Sequence, residues 1–343
     1  MKKMTIDEVA KLAYVSRSVV SRVLNNHPNV SHEARERVMR VINEYNYRPN
    51  SVARSLVTDR TFEICILAPR RRDDVLATGY LPLLLLGISE QCSKRGFFVS
   101  LSMIAEDTEA EIHDRILNGH KFDGYILYAR EVTERVASAL RTSNTPTVLI
   151  GHDATYPDLN SIDVDNFEGA YKATAHLTGL GHRQIGIMLG PPHMQESIDR
   201  LRGYTQALKE SDLSIDEEWI VEGDYSQKSG FDLMTRWIER GVCPRAVFCT
   251  SDVKAFGALL ALYQHGIAVP EQVALVGFDD LPNAQYTVPP LTTVHQPIYQ
   301  KGEQAANIII NQIEKRDSNI VHANLPAELV IRATCGALPD AIP

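Results

Sequence analysis

Two guanidiniums, two hydroxyls and an amide share one side of a short segment near the start of the chain. In TIDEVAKLAYVSRSVVSRVLN, residues 5–25, Arg17, Ser18, Ser21, Arg22 and Asn25 recur at helical spacing, while Val19, Val20, Val23 and Leu24 fall on the opposite side. A helix of this size with such a face fits the major groove of DNA, where an arginine can pair in bidentate fashion with guanine. Arg22 and Arg17 are the candidates for reading bases; the competing reading is that they meet only phosphate or solvent. Ser16, Ser21 and Asn25 suit phosphate contacts that set the helix in place.

Such a helix needs a support, and the flanking residues provide one. Thr5 with Glu8 three residues on forms a capping box for a first helix, whose buried face is Ile6, Val9, Ala10 and Ala13. Residues 13–15 form the turn, and Ser16 caps the second helix. A third helix starts from Ser31, with Ala34, Val38, Val41, Ile42 and Tyr45 as its inner face, and the head ends near Tyr47. Pro49 breaks the helical pattern at Arg48. Asn50 then caps a very short helix over 51–57, with Val52, Ala53 and Leu56 on one side. Nucleation is too costly for a helix this short to stand alone, so it needs DNA or a second copy as partner.

From Phe62 onward, strands at 62–67, 97–103, 123–128, 146–151, 185–189, 218–222, 246–249 and 273–277 alternate with helices such as 166–179, 197–210, 227–240 and 252–265. This alternation predicts parallel sheets covered on both faces, and the length predicts two α/β subdomains. The chain is expected to cross between them at 161–165 and 290–296, with ligands bound at the carboxyl ends of the strands.

The net charge of −8 hides an asymmetry. Residues 1–60 carry 11 Lys/Arg against 6 Asp/Glu, while the remainder carries 24 against 37, so a basic head sits on an acidic body. Only the head is suited to approach a polyanion. Five cysteines, odd in number and without a C-x-x-C pair, point to buried free thiols rather than disulfides or metal ligands. No apolar leader and no bilayer-length apolar run are present, so a cytoplasmic protein without a membrane partner is expected. Strand-end aspartates such as Asp252, Asp279 and Asp280 leave an α/β enzyme acting on a carbohydrate as an alternative, but G-x-G-x-x-G, P-loop, G-x-S-x-G and H-E-x-x-H motifs are absent. A solute-binding protein fits the body alone. Neither a metal nor a cofactor is expected.

The chain resembles the LacI–GalR family of bacterial transcription regulators over nearly its whole length. The resemblance rests on Thr5-Ile6-Asp7-Glu8-Val9-Ala10 through Val15-Ser16, Ser21-Arg22-Val23-Leu24-Asn25, and the hinge residues Tyr47, Pro49, Asn50, Ala53, Arg54 and Leu56. It continues through Gly181-His182-Arg183, Arg200 with Gly203-Tyr204, Gly277-Phe278-Asp279-Asp280, and Pro290-Leu291-Thr292-Thr293-Val294 with Gln296-Pro297. The resemblance implies an all-α helix-turn-helix head plus an α/β body of two doubly wound parallel-sheet subdomains of periplasmic-binding-protein type. It divides the chain into a DNA-binding domain at 1–48, a hinge at 49–60, and an effector-binding and dimerisation domain at 61–338. In that domain one subdomain covers about 61–163 plus 293–322, and the other about 164–292 plus 323–338. It further implies a homodimer on a pseudo-palindromic operator, and the tail from Ala333 has no heptad for a tetramer.

Carried over residue by residue, the DNA contacts are Thr5, Ser16, Arg17, Ser18, Ser21, Arg22, Asn25, Asn50, Ala53 and Leu56, with Leu56 wedging into the minor groove. The effector contacts are Tyr80, His152, Glu196, Arg200, Tyr225, Ser251, Asp279 and Gln296. Arg200 and Asp279 would clamp the hydroxyls of a sugar from two sides, unless they form a structural ion pair; Tyr225 would stack on the ring, unless it is core. Nucleosides, purines and sugar phosphates are the alternative effectors. Departures from the family pattern are Tyr14 at the turn glycine, Val19 in the recognition helix, Gly151 where an acidic residue is usual, and a loop at 70–80 lengthened by about five residues.

Overall fold

The computed structural model describes residues 4–24, 29–45, 47, 60–70, 79–105, 110, 114, 116, 121–128, 134–152, 155–315 and 319–336. The chain forms two compact units, Met1–Phe62 and Glu63–Pro343. The hinge residues Asn50, Ala53 and Leu56, the recognition-helix residue Asn25 and residues 71–78 of the long loop lie outside the described residues.

In the first unit, α1 (Ile6–Leu12) is closed by the expected capping box. The Thr5 amide donates to Glu8 Oε2 at 2.7 Å and the Glu8 amide to Thr5 Oγ1 at 3.3 Å. Tyr14 takes a φ of 54°, the left-handed turn conformation that glycine adopts without strain. Helices α2 (Arg17–Leu24) and α3 (His32–Glu44) complete the trio. Val9, Ala10, Ala13, Val20, Val23, Val38 and Val41 enclose a small core. One aromatic assignment is corrected. Tyr45 is 48% exposed, and Tyr47, 8% exposed, closes the core instead. Helix α3 stops at Glu44, so helical periodicity no longer governs Tyr45, and the returning chain donates the Tyr47 amide to Ile42 O at 2.9 Å.

Among the described residues, the second unit holds two six-stranded sheets. The first contains β1 (Glu63–Arg70), β2 (Phe98–Ala105), β3 (Gly124–Leu127), β4 (Thr147–Ile150) and β5 (Asn160–Val164). Helices α4 (Tyr80–Lys94) and α5 (Glu134–Ser143) belong to the same part of the chain. After α6 (Asn166–Gly179), the second sheet is built from β6 (Ile185–Leu189), α7 (Gln195–Glu210), β7 (Ile220–Glu222), α8 (Gln227–Glu239), β8 (Ala246–Cys249), α9 (Asp252–Gln264), β9 (Ala274–Asp279) and β10 (Thr292–His295). Helix α10 (Ile298–Lys315) and β11 (His322–Leu325) return to the first sheet, and β12 (Glu328–Val330) ends on the second.

The strand orders are β11-β5-β4-β3-β1-β2 and β12-β10-β9-β8-β6-β7. All pairings are parallel except β12 on β10. Strands such as β6 and β8 are buried along their whole length, as a sheet with helices on both faces requires. The chain therefore crosses between the sheets three times, after Val164, around Gln296 and after Leu325. The later crossings correct two expected boundaries: residues 293–295 belong to the second sheet, and β11 keeps the chain on the first sheet to Leu325. Strands β5, β10, β11 and β12 escaped the sequence reading because they are only three to five residues long and carry polar residues.

Helices α4 and α10 approach so closely that a Cβ on Gly87 would lie 2.1 Å from the Tyr299 carbonyl oxygen. Gly87→Ala is therefore expected to destabilise the body by about 1–3 kcal/mol, because backbone must shift to admit a methyl group. Thermal unfolding should register that loss, while Ser89→Ala, at an exposed neighbouring position, should stay within about 0.5 kcal/mol of wild type.

Candidate functional site

The first candidate surface is the outer face of α2. Ser16, Arg17, Ser18 and Arg22 are exposed and Ser21 is half-buried, while Val20 and Val23 anchor the helix to the core. Ser16 Oγ accepts the Val19 amide at 3.4 Å and shares a 2.8 Å hydrogen bond with Ser18 Oγ. Arg17 lies 3.9 Å from Asp7 with both side chains in solvent, so the pair adds little stability and leaves the guanidinium available. Val19, the departure from the threonine pattern, packs against the core, and Thr5 is exposed at the start of α1 within its capping box.

The second candidate is a polar cluster at the carboxyl ends of strands of both sheets. Strand β6 lies between β7 and β8, which makes the ends of β6 and β8 a topological switch point, where α/β sheets bind ligands. Arg200, on α7, is 5% exposed. Its Nε donates to Asn166 Oδ1 at 2.9 Å, its Nη1 to the Thr250 carbonyl, and its guanidinium lies 3.7 Å above the Phe278 ring. Asp279 ends β9 at a φ of 128° and accepts a hydrogen bond from Gln296 Nε2. No ion pair joins Arg200 to Asp279 among the described residues; each faces the cluster from its own scaffold. Tyr225 is held by Ser197 Oγ at 3.1 Å and Glu196 Oε1 at 3.5 Å, and Lys254 Nζ sits 4.7 Å from its ring centre. Gly190 makes room for it, since a Cβ there would come within 2.3 Å of the phenol.

The sequence expectation also missed residues, and one expected residue, His152, takes its contacts outside the hydrogen-bonded cluster. Lys301, on α10, donates to Tyr80 Oη at 3.2 Å, Asp163 Oδ1 at 2.9 Å and Gln296 Oε1 at 3.0 Å. Its signal was its place in the buried stripe of α10, with Ile298, Gly302, Ala305 and Ile309. Asp163 also accepts from Asn166 Nδ2 at 3.0 Å, and the Tyr80 ring stacks 5.8 Å from that of Tyr128. Asp252 is fully buried, accepting from Thr293 Oγ1 and from the Leu281 amide at 2.7 Å. His152 departs from expectation. It is exposed, bonds Ser161 Oγ at 3.3 Å and packs edge-on against His322, because the chain leaves β4 toward β5 and β11. Ser251 spends its side chain as the cap of α9, accepting the Lys254 amide at 3.2 Å.

Burial sets the protonation of the cluster. It pushes Asp252 up to about 8, with help from the neighbouring Asp279 charge. It pushes Asp279 up to about 6 against the pull of Arg200 and Gln296. Lys254 is brought down to about 7 by burial, and burial raises Glu196. Burial also works against the Lys301 cation, but Asp163 and Tyr80 outweigh it and hold the group charged. Among the described residues no group of three or more His, Cys, Asp or Glu could hold a metal, the cysteines are free, and no helix is long and apolar enough to cross a membrane.

Residues 5–50 match the family model "Bacterial regulatory proteins, lacI family", and residues 174–335 match "Periplasmic binding protein-like domain". The chain is 31% identical over 332 residues to the HTH-type transcriptional repressor PurR of Haemophilus influenzae (strain PittEE), covering 96% of this chain and 97% of that protein. Among solved structures, the transcriptional regulator CelR–cellobiose complex superposes with a TM-score of 0.76 at 30% identity, over 97% of this chain and all (100%) of that one. The lac repressor dimer bound to operator and the anti-inducer ONPF gives a TM-score of 0.84 at 27% identity, over 98% and 100%. These relatives are transcription regulators, not enzymes.

The buried Asp252 carboxyl gives a pH-dependent stability. Its folded pKa lies above the ordinary unfolded value, so its contribution is complete below about pH 4 and is lost as pH rises through about 8. Asp252→Asn, which cannot accept from both Thr293 and Leu281, is expected to cost about 1–3 kcal/mol near pH 5. That deficit should shrink toward pH 8, where wild type must hold an ionised carboxylate in the core. Denaturant unfolding of both proteins across this range checks it; a deficit that widens with pH contradicts the assignment.

Proposed function

Because the chain belongs to the lacI family of bacterial regulatory proteins and is thereby a ligand-regulated, DNA-binding transcription repressor, we propose that it is a homodimer whose two α2 helices read a pseudo-palindromic operator and whose effector is a neutral sugar. The observation that carries the effector reading is the charge balance of the inter-sheet cluster. Asp163 neutralises Lys301, and burial draws Lys254 toward its neutral form. Among the described residues of the cluster, Arg200 is left facing Asp279 and Glu196 with neutral acceptors as its partners. One guanidinium against two carboxyls suits hydroxyls that donate and accept, and repels a phosphate. Tyr225, and Tyr80 stacked on Tyr128, add aromatic surface for the apolar face of a sugar ring. The CelR relative's bound cellobiose supports the same class.

On DNA, Arg22 and Arg17 read bases while Ser16 and Ser21 meet phosphates. The dimer face is proposed from the apolar side chains left in solvent on the body. These are Leu86 on α4, Phe98 and Leu101 on the edge strand β2, and Tyr263, Tyr286 and Val288 around α9. A monomer by sedimentation at micromolar concentration would remove this part of the reading.

A thermal-shift series with cellobiose, monosaccharides, sugar phosphates, nucleosides and purine bases tests the effector class, since a ligand of the folded state stabilises by mass action. Stabilisation by phosphates or purines alone would overturn the sugar. Asp279→Asn is expected to lose the sugar response and keep operator binding. On an operator selected in vitro from random duplexes, Arg22→Ala should lose about 1–3 kcal/mol while binding to random DNA stays nearly unchanged. Equal loss on both would reduce Arg22 to a phosphate contact.

A further inference from the structure

We propose that Lys301 is a positioning residue of the effector site, fixing through Gln296 the orientation in which Asp279 meets the effector. The inference rests on the reading of the Arg200–Asp279 cluster as that site. Lys301 is 2% exposed, and its three N–H donors have three acceptors, one each from Tyr80, Asp163 and Gln296. An ammonium so saturated has no donor left for a ligand, so its influence passes through its partners.

The decisive partner is Gln296, itself 3% exposed. Its Oε1 accepts from Lys301 and its Nε2 donates to Asp279 Oδ1. A flipped amide would set NH2 against an ammonium and oxygen against a carboxylate, so the two charges leave one orientation. The relay runs from the first turn of α4 and the end of β5, through α10 and the crossing segment, to the end of β9. The Asp279 carboxyl also takes a backbone hydrogen bond from Asp252, and the relay leaves the proton of the Tyr80 hydroxyl for other partners. Packing alone does not call for a cation here. The stripe of α10 is otherwise Ile298, Ala305, Ala306, Ile309 and Ile310, where methionine would fit, and a buried ion pair is a weak source of stability compared with an apolar residue of similar volume.

The groups facing Asp279 are Arg200 from α7, Lys301 from α10, Tyr80 from α4, Tyr225 from the segment before α8, and Asp252 and Lys254 from α9; Asp280 next to it is occupied by His295 and Arg332. Lys301, with Arg200, is among the cations that favour the ionised form of Asp279. The test uses the full-length protein with 13C-labelled aspartate carboxyls, the Asp279 resonance being identified by its loss in Asp279→Asn. Wild type should titrate near pH 6. Lys301→Met should move that midpoint up by about one pH unit, and Lys301→Arg, which keeps the charge, should bring it back toward wild type. Gln296→Leu, a second break in the relay, should also raise it, and adding Lys301→Met to that variant should change it less than in wild type. An unchanged midpoint in Lys301→Met, or full additivity with Gln296→Leu, overturns the proposal. A raised midpoint in a protein whose Asp279→Asn variant still answers cellobiose keeps the relay and rejects the effector site.

Discussion

A charge can be withdrawn from water only if something replaces the water, and the body of this protein is arranged around that constraint. Arg200, Asp252, Lys254, Asp279 and Lys301 are all buried near strand ends and crossings. Each would cost several kcal/mol unsatisfied. The fold answers with carbonyls at strand ends, such as those of Leu189 and Thr250, and with side chains from the crossings, such as Asp163, Asn166 and Gln296. Parallel strands end with their carbonyl and amide groups in one layer, so the doubly wound topology supplies such partners where it also leaves room for a ligand. Carboxyls held above the ordinary carboxylate range by burial, those of Asp252 and Asp279, are a by-product of the same arrangement.

The head solves a different problem. Its core is small and made of valines and alanines, with Tyr47 as a lid. Stability of this order leaves no margin for large polar burial, and the polar residues of α2 remain in solvent. Tyr14 shows how the sequence tolerates a local strain of about 1–2 kcal/mol when the surrounding helices determine the turn.

What was legible in the sequence follows from this division. Helices with a caps-and-stripe pattern were readable to the residue or nearly so, as at α6, because both signals are local. Arg200, Asp279, Gln296, Glu196 and Tyr225 were readable from motif resemblance, and they converge on one cluster. Lys301 and Lys254 were not, because a lysine on an amphipathic helix ordinarily marks the solvated face; only the register against Ile298 and Ala305 places Lys301 inside. His152 misled because a residue at a strand end can turn either way, and the path of the next strands, β5 and β11, decided it. The short strands β10 and β12 are specified by their neighbours rather than by their own composition.

The three passages of the chain between the sheets have a mechanical meaning. A body joined to another by one strand keeps three rotational freedoms, and a ligand must supply the free energy to freeze all of them. Three passages of chain instead of one remove most of those freedoms in advance. Two of the passages flank α10, whose first turns carry Lys301 and whose backbone is locked to α4 through Gly87 and Gly302. Any displacement of the first turns of α10 must therefore be shared by α4, because the backbone contacts at Gly87 and Gly302 leave no slack between the two helices.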